Sequence, residues 1–250
     1  MNIRGCLLFL AVFFGISGVA QATLVNAFTE GAATTDWVYD VPGGAPDSVS
    51  LQTFWPRPGN NIAGAEFTNF TEPRVGSIDG WDFWAKTDGA YRHNFVLYLS
   101  DVLDVVSGEY LTNYSGESFS SIVYVETNDP GGSTDWNQAL STTLFNYRMH
   151  FNDDFGFPVN EVVDWNGFQT QTFDWFGAVE LDYSNAKVEK ARVSNDGIGT
   201  NDTITANLDN VTIGTENFAL VPEPSVIILA ATGIGLLSMF YRRKKRCQKA

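Results

Sequence analysis

This 250-residue chain has no cysteine between its two terminal segments. Cys6 and Cys247 are its two cysteines, and both lie outside residues 23–220, the segment called the body below. A body without cysteine cannot use disulfides, thiol catalysis, or zinc and iron–sulfur sites with cysteine ligands. Its stability must therefore come from core burial or from bound ions.

Positive charge is also scarce in the body, which has eight Lys and Arg and 28 Asp and Glu. Its net charge is therefore −20. This charge argues against binding to nucleic acid or to anionic lipid, since both repel an acidic surface. His93 and His150 are the two histidines, and they are not spaced like metal ligands. Neither a G-x-S-x-G sequence nor a phosphate-binding glycine loop occurs, so the sequence predicts no His-based triad.

Sustained helical periodicity is missing too, and alternation with a period of two takes its place. The clearest example is Phe145–Phe151 (FNYRMHF), whose odd-numbered residues are apolar and whose even-numbered residues are polar. Ile122–Val125 is apolar on both faces, which indicates a central strand. Further strands are predicted at Thr23–Ala27, Trp37–Val41, Val49–Phe54, Ile62–Phe67, Trp81–Lys86, Phe95–Leu99, Val179–Tyr183 and Ile204–Ile213.

Turn-forming sequences such as Pro42-Gly43-Gly44 and Asp129-Pro130-Gly131-Gly132 separate these segments. About ten short strands at this spacing predict an all-β fold, an antiparallel β-sandwich of the jelly-roll type. The sequence LDNVTI at Leu208–Ile213 resembles the last strand of galactose-binding-like jelly rolls. That resemblance implies a terminal strand that pairs near the first strand.

The N-terminal segment, residues 1–22, has the three parts of a secretory signal helix. Arg4 supplies positive charge, Cys6–Val19 is a 14-residue apolar run, and Ala20-Gln21-Ala22 is a small-x-small cleavage site. We expect export through the Sec translocon and cleavage by signal peptidase after Ala22. The apolar run is short for a retained anchor, because crossing a bilayer takes roughly 20 residues.

The C-terminal segment, residues 221–250, begins with Pro222-Glu223-Pro224, which is hostile to helix formation. Ser225–Tyr241 follows with 17 uncharged residues, enough for a single transmembrane helix of roughly 25 Å. The basic cluster Arg242–Arg246 favours the cytoplasmic side of the membrane. With the N-terminal signal, this order predicts that the body is threaded outward.

The same succession, from Val221 to Arg246, resembles the PEP-CTERM sorting domain of exported bacterial proteins. The resemblance implies that a membrane-embedded exosortase recognises Pro222, Glu223 and Pro224 and cuts near them. It also implies a Gram-negative bacterium that makes exopolysaccharide. The protein would then be held briefly in the inner membrane before it reaches the cell surface or the extracellular biofilm matrix. A plain single-pass anchor is the alternative.

Three tryptophans, Trp55, Trp81 and Trp84, are candidate glycan-binding residues, because aromatic rings pack against the C–H faces of sugars. Trp81 and Trp84 are three positions apart, so on a regular strand they point to opposite faces. At most one of the two then belongs to the core. The alternative is that these tryptophans fill or cover a large core.

A candidate cation site lies at Ser194–Asp202 (SNDGIGTND), which resembles a degenerate calcium loop. Asp196, Asn201 and Asp202 would supply oxygen ligands to Ca²⁺, and a polar hairpin turn without any cofactor is the alternative.

Glu180 and Asp182 would lie on one face of a strand, ~6.6 Å apart, a spacing compatible with carboxylate pairs in glycoside hydrolysis. Because alternating acids are also expected on any solvated face of so acidic a protein, we assign no catalytic residue. The sequence thus predicts a non-catalytic β-sandwich associated with exopolysaccharide. A glycan-active hydrolase or lyase, and a structural or adhesive protein without a small ligand, are the alternatives.

The sorting prediction can be tested on the exported protein. We expect mature extracellular protein to lack the segment beyond Pro222–Pro224, and Glu223→Ala to leave the chain in the membrane fraction. Mass spectrometry of the C-terminal peptide and cell fractionation measure both effects. An intact tail on extracellular protein would instead identify an ordinary anchor.

Overall fold

Strands form where apolar and polar side chains alternate along the chain, as a computed structural model shows. The structure describes residues 25–39, 49–55, 62–71, 73–87, 93–127, 136–151, 154–196 and 204–218. In these ranges it contains seventeen strands, a turn of 3₁₀-helix at Val75–Ser77 and a six-residue α-helix, α1, at Trp165–Thr170. The prediction of an all-β fold is confirmed for this part of the chain.

The strands are numbered in chain order. They are β1 (Val25–Glu30), β2 (Thr34–Tyr39), β3 (Val49–Trp55), β4 (Ile62–Phe67), β5 (Trp81–Thr87), β6 (His93–Ser100), β7 (Leu103–Asp104), β8 (Glu109–Tyr110), β9 (Ser121–Glu126), β10 (Asn137–Leu140), β11 (Phe145–Phe151), β12 (Asp154–Val163), β13 (Thr172–Trp175), β14 (Val179–Asp182), β15 (Lys187–Asp196), β16 (Ile204–Ile213) and β17 (Glu216–Phe218).

Antiparallel pairing joins these strands into three sheets. The large sheet has seven strands in the order β1-β4-β15-β6-β9-β11-β12. The second sheet has the order β10-β5-β16-β3-β2, with β17 beside β16, and the small sheet has the order β13-β14-β7-β8. β16, which holds the LDNVTI sequence, pairs with β3 and β5, whereas β1 lies at one edge of the large sheet.

The large and second sheets pack face to face through one hydrophobic core. The ring of Trp81 in β5 lies 4.7 Å from the ring of Phe95 in β6 and 5.7 Å from that of Phe145 in β11, between ring centroids. The α1 helix and the small sheet add Phe168 and Phe173 to the same core. This sandwich-like arrangement buries one face of each of the two sheets and leaves their outer faces for other contacts.

Strand β15 lies inside the large sheet, between β4 and β6, at a place where the sequence pattern predicts no strand. A register shift between Val188 and Lys190 interrupts its alternation, so a search for period two misses it. Ser194 is paired with Gly64 of β4, and β15 continues to Asp196. The prediction of a loop from Ser194 onward is therefore wrong for its first three residues.

Several predicted features lie outside the described residues. They are the N-terminal signal with Ala20 and Ala22, the loop residues Asn201 and Asp202, and the whole C-terminal segment with Pro222, Glu223 and Pro224. The described residues belong to one compact unit. Among them, no helix has the length and apolar character needed to cross a membrane.

Gly64 lets the backbones of β4 and β15 approach each other closely. A Cβ atom at this position would lie 2.1 Å from the carbonyl oxygen of Val193. Because that oxygen belongs to backbone in the middle of the sheet, it cannot move aside as a flexible side chain could.

We expect Gly64→Ala to lower the free energy of unfolding by about 3 kcal/mol, at the upper end of what overpacking costs. Gly116→Ala is the control, since a Cβ there meets open space and the cost comes from its φ of +81°, about 1–2 kcal/mol. Urea denaturation measures both. Equal losses would show that β15 shifts to make room.

Candidate functional site

Strand β5 places Trp81 and Trp84 on opposite faces of the second sheet, as their spacing predicts. Trp81 is 2% exposed and belongs to the core together with Phe83 and Ala85. Its prediction as a glycan-binding residue is therefore wrong, because a sugar cannot reach a ring enclosed between two sheets. Trp84 points outward and is partly exposed, so it remains a candidate.

Polar side chains surround Trp84 on the neighbouring strands. Gln138 of β10 and Asp209 of β16 are its direct partners across the sheet. Asp82, two positions away on β5, accepts a hydrogen bond from Nε2 of Gln138 (3.2 Å, to Oδ1). Asn207 faces Lys86 in the next pair along. These six residues, Asp82, Trp84, Lys86, Gln138, Asn207 and Asp209, are called the Trp84 patch.

The inner edge of the Trp84 patch is built from buried polar groups. Asn207 is 8% and Asp209 1% exposed, although both lie on the outer side of β16. The register between β16 and β5 shifts after Asp209, and Asn210 adopts a φ of 42° there. The amide of Asn210 donates to Oδ1 of Asp209 (2.8 Å). This bulge directly follows the residue that pairs with Trp84 across the sheet.

The Trp84 patch combines a partly exposed aromatic ring with carboxylate and amide groups. The ring can pack against the C–H face of a sugar. The Asp82 carboxylate accepts hydrogen bonds from hydroxyl groups, and the exposed amide of Gln138 can both donate and accept them, whereas Asn207 and Asp209 are buried. Trp55, the third candidate, ends β3, and its role as a glycan-binding residue stays a prediction.

A polar cleft of about 290 Å³ opens beside the first residues of β5 and the last residues of β10. The pairing of these strands ends at Asp82 and Leu140, and Ser141 then donates its amide to the carbonyl oxygen of Trp81 (2.9 Å). The lining residues are Gly76, Ile78, Asp79, Ser141, Thr142, Asp164, Trp165, Asn166 and Gln169.

Hydrogen bonds hold the walls of this cleft in place. The indole Nε1 of Trp165 donates to the carbonyl oxygen of Ile78 (2.7 Å). Nε2 of Gln169 donates to the same oxygen (2.9 Å) and to that of Val75 (2.6 Å). The carboxylate of Asp164 caps α1 by accepting from the Gly167 amide (2.7 Å). The cleft is thus formed by fixed side chains rather than by loosely packed ones.

The outer face of the large sheet is an ion-paired layer. Nε of Arg192 lies 2.8 Å from the Glu66 carboxylate, and one of its terminal nitrogens lies 2.9 Å from that of Glu30. Its guanidinium also lies 4.2 Å above the ring of Phe28 and donates to the Tyr98 hydroxyl. Burial raises the pKa of Tyr98 to about 12, so this hydroxyl stays neutral.

A second cluster on this face surrounds Glu126. Asn146 donates to its carboxylate (2.9 Å), and Arg148 pairs with the same group. The rings of Tyr124 and His150 meet edge to face, with centroids 5.6 Å apart. Burial, and to a lesser extent the charge of Arg148, lowers the pKa of His150. The basic groups of this face are therefore engaged by carboxylates instead of being open to an anionic ligand.

The two carboxylates considered for catalysis lie on the small sheet. Glu180 and Asp182 share one face of β14, as predicted, but each is engaged locally. Glu180 accepts a hydrogen bond from the Thr172 hydroxyl, and Asp182 accepts one from the amide of Ser184 (2.8 Å). These bonds tie both groups to their own sheet and turn.

Neither a metal cluster nor a known relative identifies the site. Among the described residues, no group of three or more His, Cys, Asp and Glu side chains could hold a metal ion. Asp196 ends β15 while Asn201 and Asp202 are not described, so a Ca²⁺ site there stays a prediction. No family model matches the chain, and no curated protein or solved structure matches it either.

The pKa of His150 leads to a prediction about pH. Because the folded state lowers this pKa below 6.5, neutral His150 contributes stability above pH 6.5 that is lost as the pH falls through the folded-state pKa. We expect His150→Gln to flatten the fall in urea midpoint as the pH drops below 6.5. Midpoints at pH 8 serve as the reference, and unchanged slopes for the variant would refute the assignment.

Proposed function

We propose that this chain is an exported bacterial surface or matrix protein whose β-sandwich binds extracellular polysaccharide without catalysis. The observation that carries the proposal is the partly exposed Trp84, with the Asp82 carboxylate two positions along β5 and the exposed Gln138 amide directly opposite on β10. An aromatic platform bordered by hydrogen-bonding groups suits a ligand that has both C–H faces and hydroxyls.

The proposed route to the cell surface comes from the chain ends. The N-terminal signal would direct the chain to the Sec translocon and signal peptidase. The tail, with its resemblance to PEP-CTERM sorting domains, would hold it in the inner membrane until an exosortase acts at Pro222-Glu223-Pro224. A body of net charge −20 supports this placement, since it resists adsorption to anionic lipid.

The proposed fold is a jelly-roll-like sandwich with its ligand on an outer sheet face. Support comes from the antiparallel order of the two packed sheets. A non-catalytic role is favoured over a glycan hydrolase because Glu180 and Asp182 are both engaged by hydrogen bonds within the small sheet and its adjoining turn.

We expect Trp84→Ala to weaken polysaccharide binding about 10- to 30-fold, since loss of a central aromatic contact costs on the order of 2 kcal/mol. Affinity electrophoresis of the full-length chain in mild detergent, over a panel of neutral and acidic polysaccharides, measures the effect. Phe176→Ala is the matched control, because Phe176 is 88% exposed and lies on the small sheet's hairpin turn.

The control should bind like the parent chain, and far-ultraviolet circular dichroism should be the same for all three proteins. If no polysaccharide retards the parent chain, with or without Ca²⁺, the proposed function is wrong. If Trp84→Ala binds normally, the ligand site lies elsewhere on the body.

A further inference from the structure

The polar cleft beside β5 and β10 has the size and lining of a site for a small hydroxylated molecule. Its volume of about 290 Å³ lies just below the range for small-molecule pockets, about 300–1,000 Å³. Trp165, Gln169 and Asp164 are held by the hydrogen bonds described above, so the cleft need not be rebuilt when a ligand enters. Preorganised walls reduce the entropy lost on binding.

The side chains that remain open in the cleft define the chemistry of its ligand. Asp79, Thr142 and Asn166 are exposed, so their oxygen and nitrogen atoms can meet a ligand from solvent. The carboxylate accepts hydrogen bonds, the amide of Asn166 donates and accepts them, and the Thr142 hydroxyl does both. Such a set matches neighbouring hydroxyl groups, each of which is itself a donor and an acceptor.

Charge sets a limit on that ligand. The lining contains the carboxylates of Asp79 and Asp164 and no Lys or Arg. A ligand carboxylate or sulfate entering the cleft would meet two like charges without a compensating cation, which is unfavourable at these short distances. An uncharged polyol therefore fits better than a uronate.

The cleft is also placed next to the Trp84 patch. Asp82 belongs to the patch and Asp79 to the cleft, three residues apart, and Ala139 and Leu140 join Gln138 of the patch to Ser141 of the cleft. Residues on a strand are ~3.3 Å apart, so roughly 10 Å of chain leads from Asp79 at the cleft to Asp82 in the patch. β10 is an edge strand of the second sheet, so an oligosaccharide that passes around this edge would join the Trp84 ring to the cleft.

We propose that this cleft is a second subsite, which takes an uncharged sugar unit of the glycan whose next units pack on Trp84. The inference rests on the proposed function and deepens it. The ligand is a neutral polysaccharide, and the cleft recognises the hydroxyl groups of one of its sugar units. Asn166 and Thr142 act as ligand contacts, and Asp79 accepts hydroxyl hydrogen bonds at the rim.

The test uses the full-length chain in detergent and affinity gels that contain either neutral polysaccharides or alginate, a polyuronate. We expect Asn166→Ala and Thr142→Val each to weaken binding of the neutral polymer about fivefold, the effect of one lost hydrogen bond. Thr143→Val is the matched control. Thr143 is the exposed neighbour of Thr142 and is not part of the lining, so its variant should bind like the parent.

The outcomes separate this inference from the proposed function. If Trp84→Ala loses binding while both cleft variants bind normally, the subsite is wrong and the proposed function stands. If alginate is bound and neutral polymers are not, the ligand class is wrong. If Ca²⁺ alone raises the melting temperature and Asn166→Ala removes that rise, the cleft is a cation site instead. If no polysaccharide binds the parent chain, the inference falls together with the proposed function.

Discussion

The packing of Trp81 between the two sheets determines the arrangement of the candidate site. Its ring touches Phe95 and Phe145 of the opposite sheet, so β5 has one side committed to the core. Because side chains alternate strictly along a strand, Trp84 must then face outward. A one-residue slip of β5 would place Trp84 in the core and expose Trp81, at a large cost in apolar burial.

Charge distribution adds a second constraint. Three basic residues of the body, Arg148, Lys190 and Arg192, lie on the outer face of the large sheet, and each pairs with a carboxylate. These pairs neutralise charge within the sheet instead of offering it to a ligand. The acidic body, with net charge −20, therefore repels polyanions.

Much of the strand layout is predictable from the sequence, and the misses have physical causes. β4, β11 and β16 have the predicted bounds, and the alternation of β11 runs without a break from Phe145 to Phe151. β15 is missed because its bulge interrupts the period. β12 is missed because it contains Pro158, which is tolerated only since β12 is an edge strand of its sheet. Whether a strand lies at the edge of a sheet, and where it bulges, depends on its partner strands. A local sequence pattern does not contain that information.

The sequence by itself determined that Trp81 and Trp84 point to opposite sides, that the body is acidic and free of cysteine, and that its chain is built of alternating strands. Only the tertiary structure decided which tryptophan is buried, because that depends on which face of β5 meets the large sheet. It also decided which partners Trp84 has. Gln138 and Asp209 are far from it in the chain, and they reach it only through strand pairing across the second sheet.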